Sequence, residues 1–190
     1  MATGKEELVN DLSILEAMAA KMPEYLSSNE LFWRKIDSDP VQPTLGGYLM
    51  RQDRLQALSD TLLDEGQRRQ LAAAIARFEQ AVNEQPGRLE AKGQQELESR
   101  LRQWEIALKE LLDDEAPTLA YYRADIETRV IIATLLAALR QRTEPAVTDK
   151  LAGLDQTLRQ RWQPGEFVWP AEWQPAYPRS EYWWLYGRLN

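Results

Sequence analysis

The chain has 190 residues, with 23 basic and 30 acidic side chains, a formal net charge of −7, and neither cysteine nor histidine. The missing residues exclude disulfides, thiolate or imidazole metal ligands and the commonest general base, so catalysis would depend on carboxylates, lysine, arginine, tyrosine or hydroxyl groups. Without a cluster of lysine or arginine, the acidic balance disfavours binding to nucleic acid or to an anionic membrane surface.

Apolar side chains recur at helical spacing from the start of the chain. The first helix face is formed by six positions, Leu8, Leu12, Leu15, Met18 or Ala19, Met22 and Leu26. Pro23 falls within this pattern, and we expect it to kink or interrupt the helix. A short helix over residues 30–36 is expected to precede a proline-containing loop at residues 37–43.

The second and third predicted helices carry recognisable start signals. Thr44 is a candidate N-cap for a helix that extends to about residue 63. Asp64 and Gln67 have the spacing of a capping box, in which each side chain accepts a backbone N–H at the start of the third helix. The spacing therefore predicts two consecutive helices, with a break and a new helix start within residues 64–67.

The fourth predicted helix has the most regular apolar pattern. Its apolar residues follow a 4-3-4-3 spacing at Leu97, Leu101, Trp104, Leu108 and Leu111. Asp114 is expected to cap a fifth helix that becomes apolar all round over residues 130–139, which predicts the most buried helix. Thr143 is expected to cap a sixth helix, with Pro145 in its first turn. The longest apolar run covers about half a membrane span.

Acidic residues at the end of the fourth helix are the candidate metal ligands. Glu110 and Asp113 are spaced i, i+3 on one helix face, and such a pair can hold Mg²⁺ together with substrate phosphates. The second acidic pair that this chemistry needs on a neighbouring helix is missing from the sequence. Acidic residues are also favourable at the start of the next helix, because the helix dipole places partial positive charge there. We therefore predict no metal site. In the alternative prediction of an Mg²⁺ site, Glu110 and Asp113 are the ligands.

Two further polar features have structural explanations. Gly46 and Gly47 open the second helix, where free N–H groups can hold an anion, but no phosphate-binding fingerprint surrounds them. A tight loop or a close helix crossing explains these glycines equally well. Arg129 follows Asp125 by one helical turn, which predicts an ordinary pair on a solvated face.

The composition changes after Trp162. Five of the seven tryptophans lie from Trp162 onward, and four of the ten prolines fall within residues 164–178. Such a segment can wrap the helices, bind a partner or stack on a small ligand, because tryptophan and tyrosine bury large areas and are favoured interface anchors. The candidate partner-binding residues are Trp169, Trp173, Tyr177, Trp183, Trp184 and Tyr186.

These features together predict an all-α bundle of about six mostly antiparallel helices over residues 1–163. An aromatic, proline-rich C-terminal extension over residues 164–190 is expected to pack against it. The expected function is that of a non-enzymatic, cytoplasmic interaction protein, an adaptor, regulator or small subunit, with another protein as partner and no cofactor. The alternatives are an Mg²⁺-dependent enzyme acting on a phosphorylated small molecule, and a small-molecule binding module with the extension as a lid.

Overall fold

A computed structural model of the chain describes residues 3–33, 43–113, 119–139 and 143–189. The helices are α1 (Gly4–Ser27), α2 (Leu45–Leu62), α3 (Glu65–Glu84), α4 (Arg88–Asp113), α5 (Leu119–Leu139) and α6 (Pro145–Arg159). Two short strands, β1 (Trp162–Pro164) and β2 (Gly187–Leu189), enclose 3₁₀ helices at Ala171–Ala176 and Trp183–Leu185. The predicted all-α class is confirmed. Within the described ranges, no helix is long and apolar enough to cross a membrane.

Contacts between residues divide the chain into two compact units. Unit 1 comprises residues 1–96 and unit 2 comprises residues 97–190. The boundary lies within α4, whose first residues belong to unit 1 and whose remainder belongs to unit 2. The predicted boundary after residue 163 stays a prediction.

The predicted starts of α2 and α3 are confirmed. The Thr44 hydroxyl accepts a hydrogen bond from the Gly47 N–H at 3.1 Å. Asp64 and Gln67 form the capping box, with bonds of 2.8 and 2.9 Å between each side chain and the other residue's N–H. Each cap satisfies N–H groups that have no partner within the helix, which stabilises a helix by about 1 kcal/mol.

Other helix limits differ from the expectation. α1 continues past Pro23 to Ser27. The buried side chains Tyr25 and Leu26 lie in this last turn, and their burial offsets the hydrogen bond that the proline removes. Residues 30–33 are not helical, and the rest of the expected 30–36 helix lies outside the described residues. Glu144 rather than Thr143 precedes α6. The expected Asp114 cap lies outside the described residues.

Unit 1 is built on the packing of α1 against α2 and α3. Its core contains aliphatic side chains of all three helices, among them Leu8, Leu12, Leu15, Leu26, Leu55, Leu58 and Leu71. Tyr48 of α2 stacks on Phe78 of α3 with ring centroids 4.6 Å apart. Since full burial of one such side chain contributes about 1.5–3 kcal/mol, this shared core stabilises the arrangement of the three helices.

Unit 2 contains the 4-3-4-3 stripe of α4, which is buried as predicted. α5 buries Ile126, Val130, Ile132 and Leu135, but its last turn exposes Ala137 and neighbouring positions. Four consecutive positions in the middle of α5, residues 129–132, are buried and point to every side of the helix, so this part of the apolar run is enclosed all round and only its last turn is exposed. β2 contacts α5, and β1 contacts α6. The C-terminal extension thus packs against the helices of its own unit.

Candidate functional site

The C-terminal extension returns on itself. β1 and β2 pair antiparallel, with Trp162 opposite Leu189 and Pro164 opposite Gly187. Val168 continues this closure, since its N–H donates to the Leu185 carbonyl at 2.9 Å. The pairing joins positions separated by more than twenty residues, so the local sequence pattern gave no sign of it. The extension is a closed loop with its own backbone hydrogen bonds.

The six predicted partner-binding residues come together in this loop. Trp169, Trp173, Tyr177 and Trp184 are buried, whereas Trp183 and Tyr186 are half-buried. The ring centroids of Trp169 and Tyr177 lie 4.9 Å apart, and those of Trp183 and Trp184 lie 5.7 Å apart. Edge-to-face contacts of this kind add to the stabilisation from buried area. The four buried rings form an aromatic core, which leaves Trp183 and Tyr186 with accessible surface.

Two side chains of α5 hold this aromatic core against the helices. The Tyr122 hydroxyl donates to the Trp184 carbonyl at 2.6 Å. Arg129 donates two hydrogen bonds of 2.8 Å to the Asp155 carboxylate on α6, and its guanidinium lies 3.7 Å from the Trp184 ring centroid. Burial also raises the pKa of Tyr122, so that its hydroxyl remains a donor.

The predicted solvated position of Arg129 is wrong. Its side chain is buried, with only 4% of the residue exposed, and its carboxylate partner is Asp155 rather than Asp125. Helical spacing identified the i, i+4 neighbour correctly, but it carries no information about a carboxylate on another helix. A planar guanidinium can form two parallel hydrogen bonds and stack on an aromatic ring at the same time, which suits it to this buried position.

The candidate metal ligands Glu110 and Asp113 both lie on the exposed surface of α4. Burial raises the pKa of Asp125 on α5, and the charge of Glu110 raises it further, so these two carboxylates lie near each other. Among the described residues, no group of three or more acidic side chains is arranged to hold a metal ion. The next two acidic residues along the chain, Asp114 and Glu115, lie outside that part of the chain.

Exposed apolar side chains form a feature that the sequence analysis missed. Ile106 on α4 is 59% exposed, and Leu119 and Tyr121 at the start of α5 are 55% and 63% exposed. Ile106 lies two residues from both Trp104 and Leu108, out of phase with the buried stripe of α4. This position could have been recognised from the sequence, because a side chain about 200° around the helix from buried neighbours faces solvent.

The helix start at Gly46 and Gly47 is occupied by the protein's own carboxylate. The Gly46 N–H donates to the Glu96 carboxylate at 2.7 Å, and Glu96 is fully buried. Thr44 accepts from the Gly47 N–H. A negative side chain at the positive end of a helix is favourable, and here it serves the packing of unit 1. This helix start therefore offers no place for a ligand anion.

A polar cleft of about 310 Å³ opens in unit 1 between the end of α1 and the start of α4. Its lining consists of Leu26, Ser28, Asn29, Arg88, Ala91, Lys92 and Gln95. The Lys92 ammonium donates to the Glu30 carbonyl at 2.7 Å and lies 4.3 Å from the centroid of the Tyr25 ring. Burial lowers the pKa of Lys92, and the Arg88 charge lowers it further. This pair of cations was not predicted from the sequence.

Comparison of the chain with protein-family models, with curated proteins and with solved structures found no match. Its own side chains and their geometry are therefore the basis for assigning a function.

Proposed function

We propose that this chain is a non-enzymatic helical interaction protein, an adaptor, regulator or small subunit of a larger complex, that binds another protein. The observation that carries the proposal is the exposure of Ile106, Leu119 and Tyr121 in unit 2. Covering such side chains with a partner contributes about 25 cal/mol for each Å² of apolar surface removed from water. Tyrosine is also among the residues most often found as an interface anchor.

The charges around these side chains indicate the kind of partner. Ile106 and Glu110 are one turn apart on α4, and Tyr121 and Asp125 are one turn apart on α5. The charge of Glu110 raises the pKa of Asp125, so these two carboxylates lie near each other. Ile106 and Tyr121 are therefore each one turn from one of the two. The complementary partner is an amphipathic segment with apolar side chains beside lysine or arginine.

The C-terminal extension has a smaller part in this proposal. Trp169, Trp173, Tyr177 and Trp184 are buried and stabilise the fold of unit 2. Trp183 and Tyr186 keep accessible ring surface, and Arg159 lies 3.7 Å from the Trp183 ring centroid. These two half-buried rings are positions in the extension that a partner can contact without opening the aromatic core.

The two alternatives have less support. Glu110 and Asp113 face solvent, and no acidic group suited to a metal accompanies them in the described part of the chain. The polar cleft in unit 1 has no tryptophan in its lining, so it differs from the aromatic pocket expected beneath a lid. The exposed apolar side chains are therefore the better guide to function.

The test is site-specific photo-crosslinking in the native cell. A photoreactive phenylalanine analogue at position 106 or 121 is expected to capture the same protein, whereas the analogue at the exposed position 77 of α3 captures none of it. The double variant Ile106→Lys/Tyr121→Lys should lose at least about tenfold in affinity for that protein, because it buries new charge at the contact.

The variant's denaturation midpoint should remain unchanged, since both positions are exposed in the free protein. Full retention of the captured protein by the double variant, or equal capture from positions 77, 106 and 121, would show that this surface is not the interface.

A further inference from the structure

The polar cleft of unit 1 concentrates positive charge in an acidic protein. Among the described residues, the charged lining residues are Arg88 and Lys92 and no carboxylate lines the cleft, although the chain carries 30 acidic and 23 basic side chains. The two cations are one turn apart on α4, so they project from the same face of the helix. Two like charges on one side of a cleft create a positive potential that an anion can relieve.

Lys92 is held in a defined position at the wall of this cleft. Only 5% of the residue is exposed. Its ammonium donates to the Glu30 carbonyl, and it approaches the Ser28 hydroxyl at 3.5 Å, a long distance for a hydrogen bond. An ammonium group has three N–H donors, and among the described residues the bond to the Glu30 carbonyl is the one of good geometry. Donor capacity therefore remains on the side of Ser28, which lines the cleft.

Charges of both signs act on Lys92. Glu30 and Glu96 favour its charged form, but burial and Arg88 have the larger effect and lower its pKa. Glu96 is already engaged by the Gly46 N–H. Arg88 itself is exposed and has no ion pair in the described part of the chain. A guanidinium without a carboxylate partner beside a confined ammonium is an arrangement that suits a bound anion.

We propose that this cleft binds a small organic anion, whose carboxylate or phosphate group is held between Arg88 and Lys92. The cleft volume of about 310 Å³ is that of a small-molecule site and accommodates a metabolite-sized ligand. Asn29 and Gln95 supply amide groups that can hydrogen-bond hydroxyl or carbonyl groups of the same ligand, and Leu26 and Ala91 supply apolar wall. This site lies in unit 1 and is independent of the protein contact proposed for unit 2.

A purely structural role for Lys92 makes a different prediction. Its bond to the Glu30 carbonyl stabilises the chain just after α1, and that role needs no ligand. If Lys92 only supports this segment, added anions should leave its pKa unchanged. If an anion binds between Lys92 and Arg88, the bound negative charge favours the charged form and raises the pKa of Lys92.

The experiment is an NMR titration of the full chain at constant ionic strength. Inorganic phosphate, glycerol 3-phosphate and succinate are the probes, with chloride as the reference anion. Saturable shifts are expected at the backbone amides of Ser28, Asn29, Ala91 and Gln95, together with a rise in the pKa of Lys92 followed by its side-chain resonances. Saturation with a phosphate probe or with succinate identifies the anionic group that the cleft prefers.

Arg88→Gln is the main variant, because Arg88 is exposed and its replacement leaves the fold intact. It should weaken binding about tenfold, the effect of losing one charge-assisted hydrogen bond. Arg77→Gln on the exposed surface of α3 removes the same charge away from the cleft and should leave the affinity unchanged. Non-saturating shifts spread over the surface, or equal binding by Arg88→Gln and the wild type, would overturn the proposal.

Discussion

Arg129 connects three parts of unit 2, since its guanidinium contacts Asp155 of α6 and Trp184 of the C-terminal extension while its backbone belongs to α5. Arg129→Ala leaves the partly buried Asp155 carboxylate without its partner and removes the stacking contact. We expect the free energy of unfolding to fall by about 3 kcal/mol. Arg129→Lys should cost less, because lysine keeps the charge but cannot form the paired hydrogen bonds. Chemical denaturation measures both.

The matched control for Arg129 is the exposed ion pair between Lys150 and Glu105, whose Nζ and Oε2 atoms lie 2.7 Å apart. Lys150→Gln should change the free energy of unfolding by less than about 0.5 kcal/mol, because solvent screens exposed pairs. If Arg129→Ala and Lys150→Gln lowered the free energy of unfolding equally, burial would not strengthen the ion pair of Arg129 with Asp155.

For single residues, the predictions made from the sequence agree with the structure where the contact is local. Thr44, Asp64 and Gln67 bond within their own helix starts, so the spacing alone identified their roles. Arg129 pairs with a residue 26 positions away, and helical spacing offered Asp125 instead. The same limit applies to the aromatic residues, because composition does not distinguish a buried tryptophan such as Trp169 from a half-buried one such as Trp183.

The pairing of β1 with β2 depends on a glycine at the start of β2. A Cβ atom on Gly187 would overlap the Gln163 carbonyl and the Trp162 ring. Gly187→Ala must therefore separate the strands or displace the indole, and we expect it to destabilise unit 2 by about 2 kcal/mol. The variant should also speed hydrogen exchange at the Gly165 and Val168 amides, which bond to the residues preceding β2.

Gly153 on α6 is the control, since a Cβ atom there meets no other atom within 4 Å. Gly153→Ala should stabilise the protein by about 0.5–1 kcal/mol, because alanine restricts the unfolded chain and favours the helix. Destabilisation by both variants, or by neither, would mean that close packing at Gly187 is not what joins the strands.

The helices were accessible to prediction because the apolar period of each is local, as in α4, and because α2 and α3 also carry local caps. The strands are three residues long and pair across the whole extension, so neither carries a recognisable pattern. In α1 the local signal was present but misleading. Pro23 is a strong local signal for a break, but the burial of Tyr25 and Leu26 keeps the last turn helical.

Two of the buried tyrosines, Tyr48 in unit 1 and Tyr122 in unit 2, make the stability depend on alkaline pH. Burial raises the pKa of Tyr48 in unit 1 and of Tyr122 in unit 2 above the ordinary value of about 10. The fold therefore favours the protonated rings, and this stabilisation is complete below about pH 10. It is lost as the pH rises through the raised values, because the unfolded chain releases these protons first.

We expect the free energy of unfolding to fall above about pH 10, by up to about 1.4 kcal/mol per pH unit for each of the two groups. Phenolate absorbance should show at least two of the seven tyrosines titrating only when the chain unfolds. Tyr48→Phe/Tyr122→Phe is the control and should have a flatter pH dependence. Titration of all seven tyrosines near pH 10 in the folded protein would contradict the burial of these two rings.

The uneven placement of tryptophan has a consequence for spectroscopy. Unit 1 contains Trp33, whereas unit 2 contains the other six, which are Trp104, Trp162, Trp169, Trp173, Trp183 and Trp184. Indole fluorescence therefore records unit 2 almost exclusively, while far-ultraviolet circular dichroism records the helices of both units. If the two signals change at different denaturant concentrations, the chain unfolds in steps, and a single free energy taken from fluorescence describes only one half of the protein.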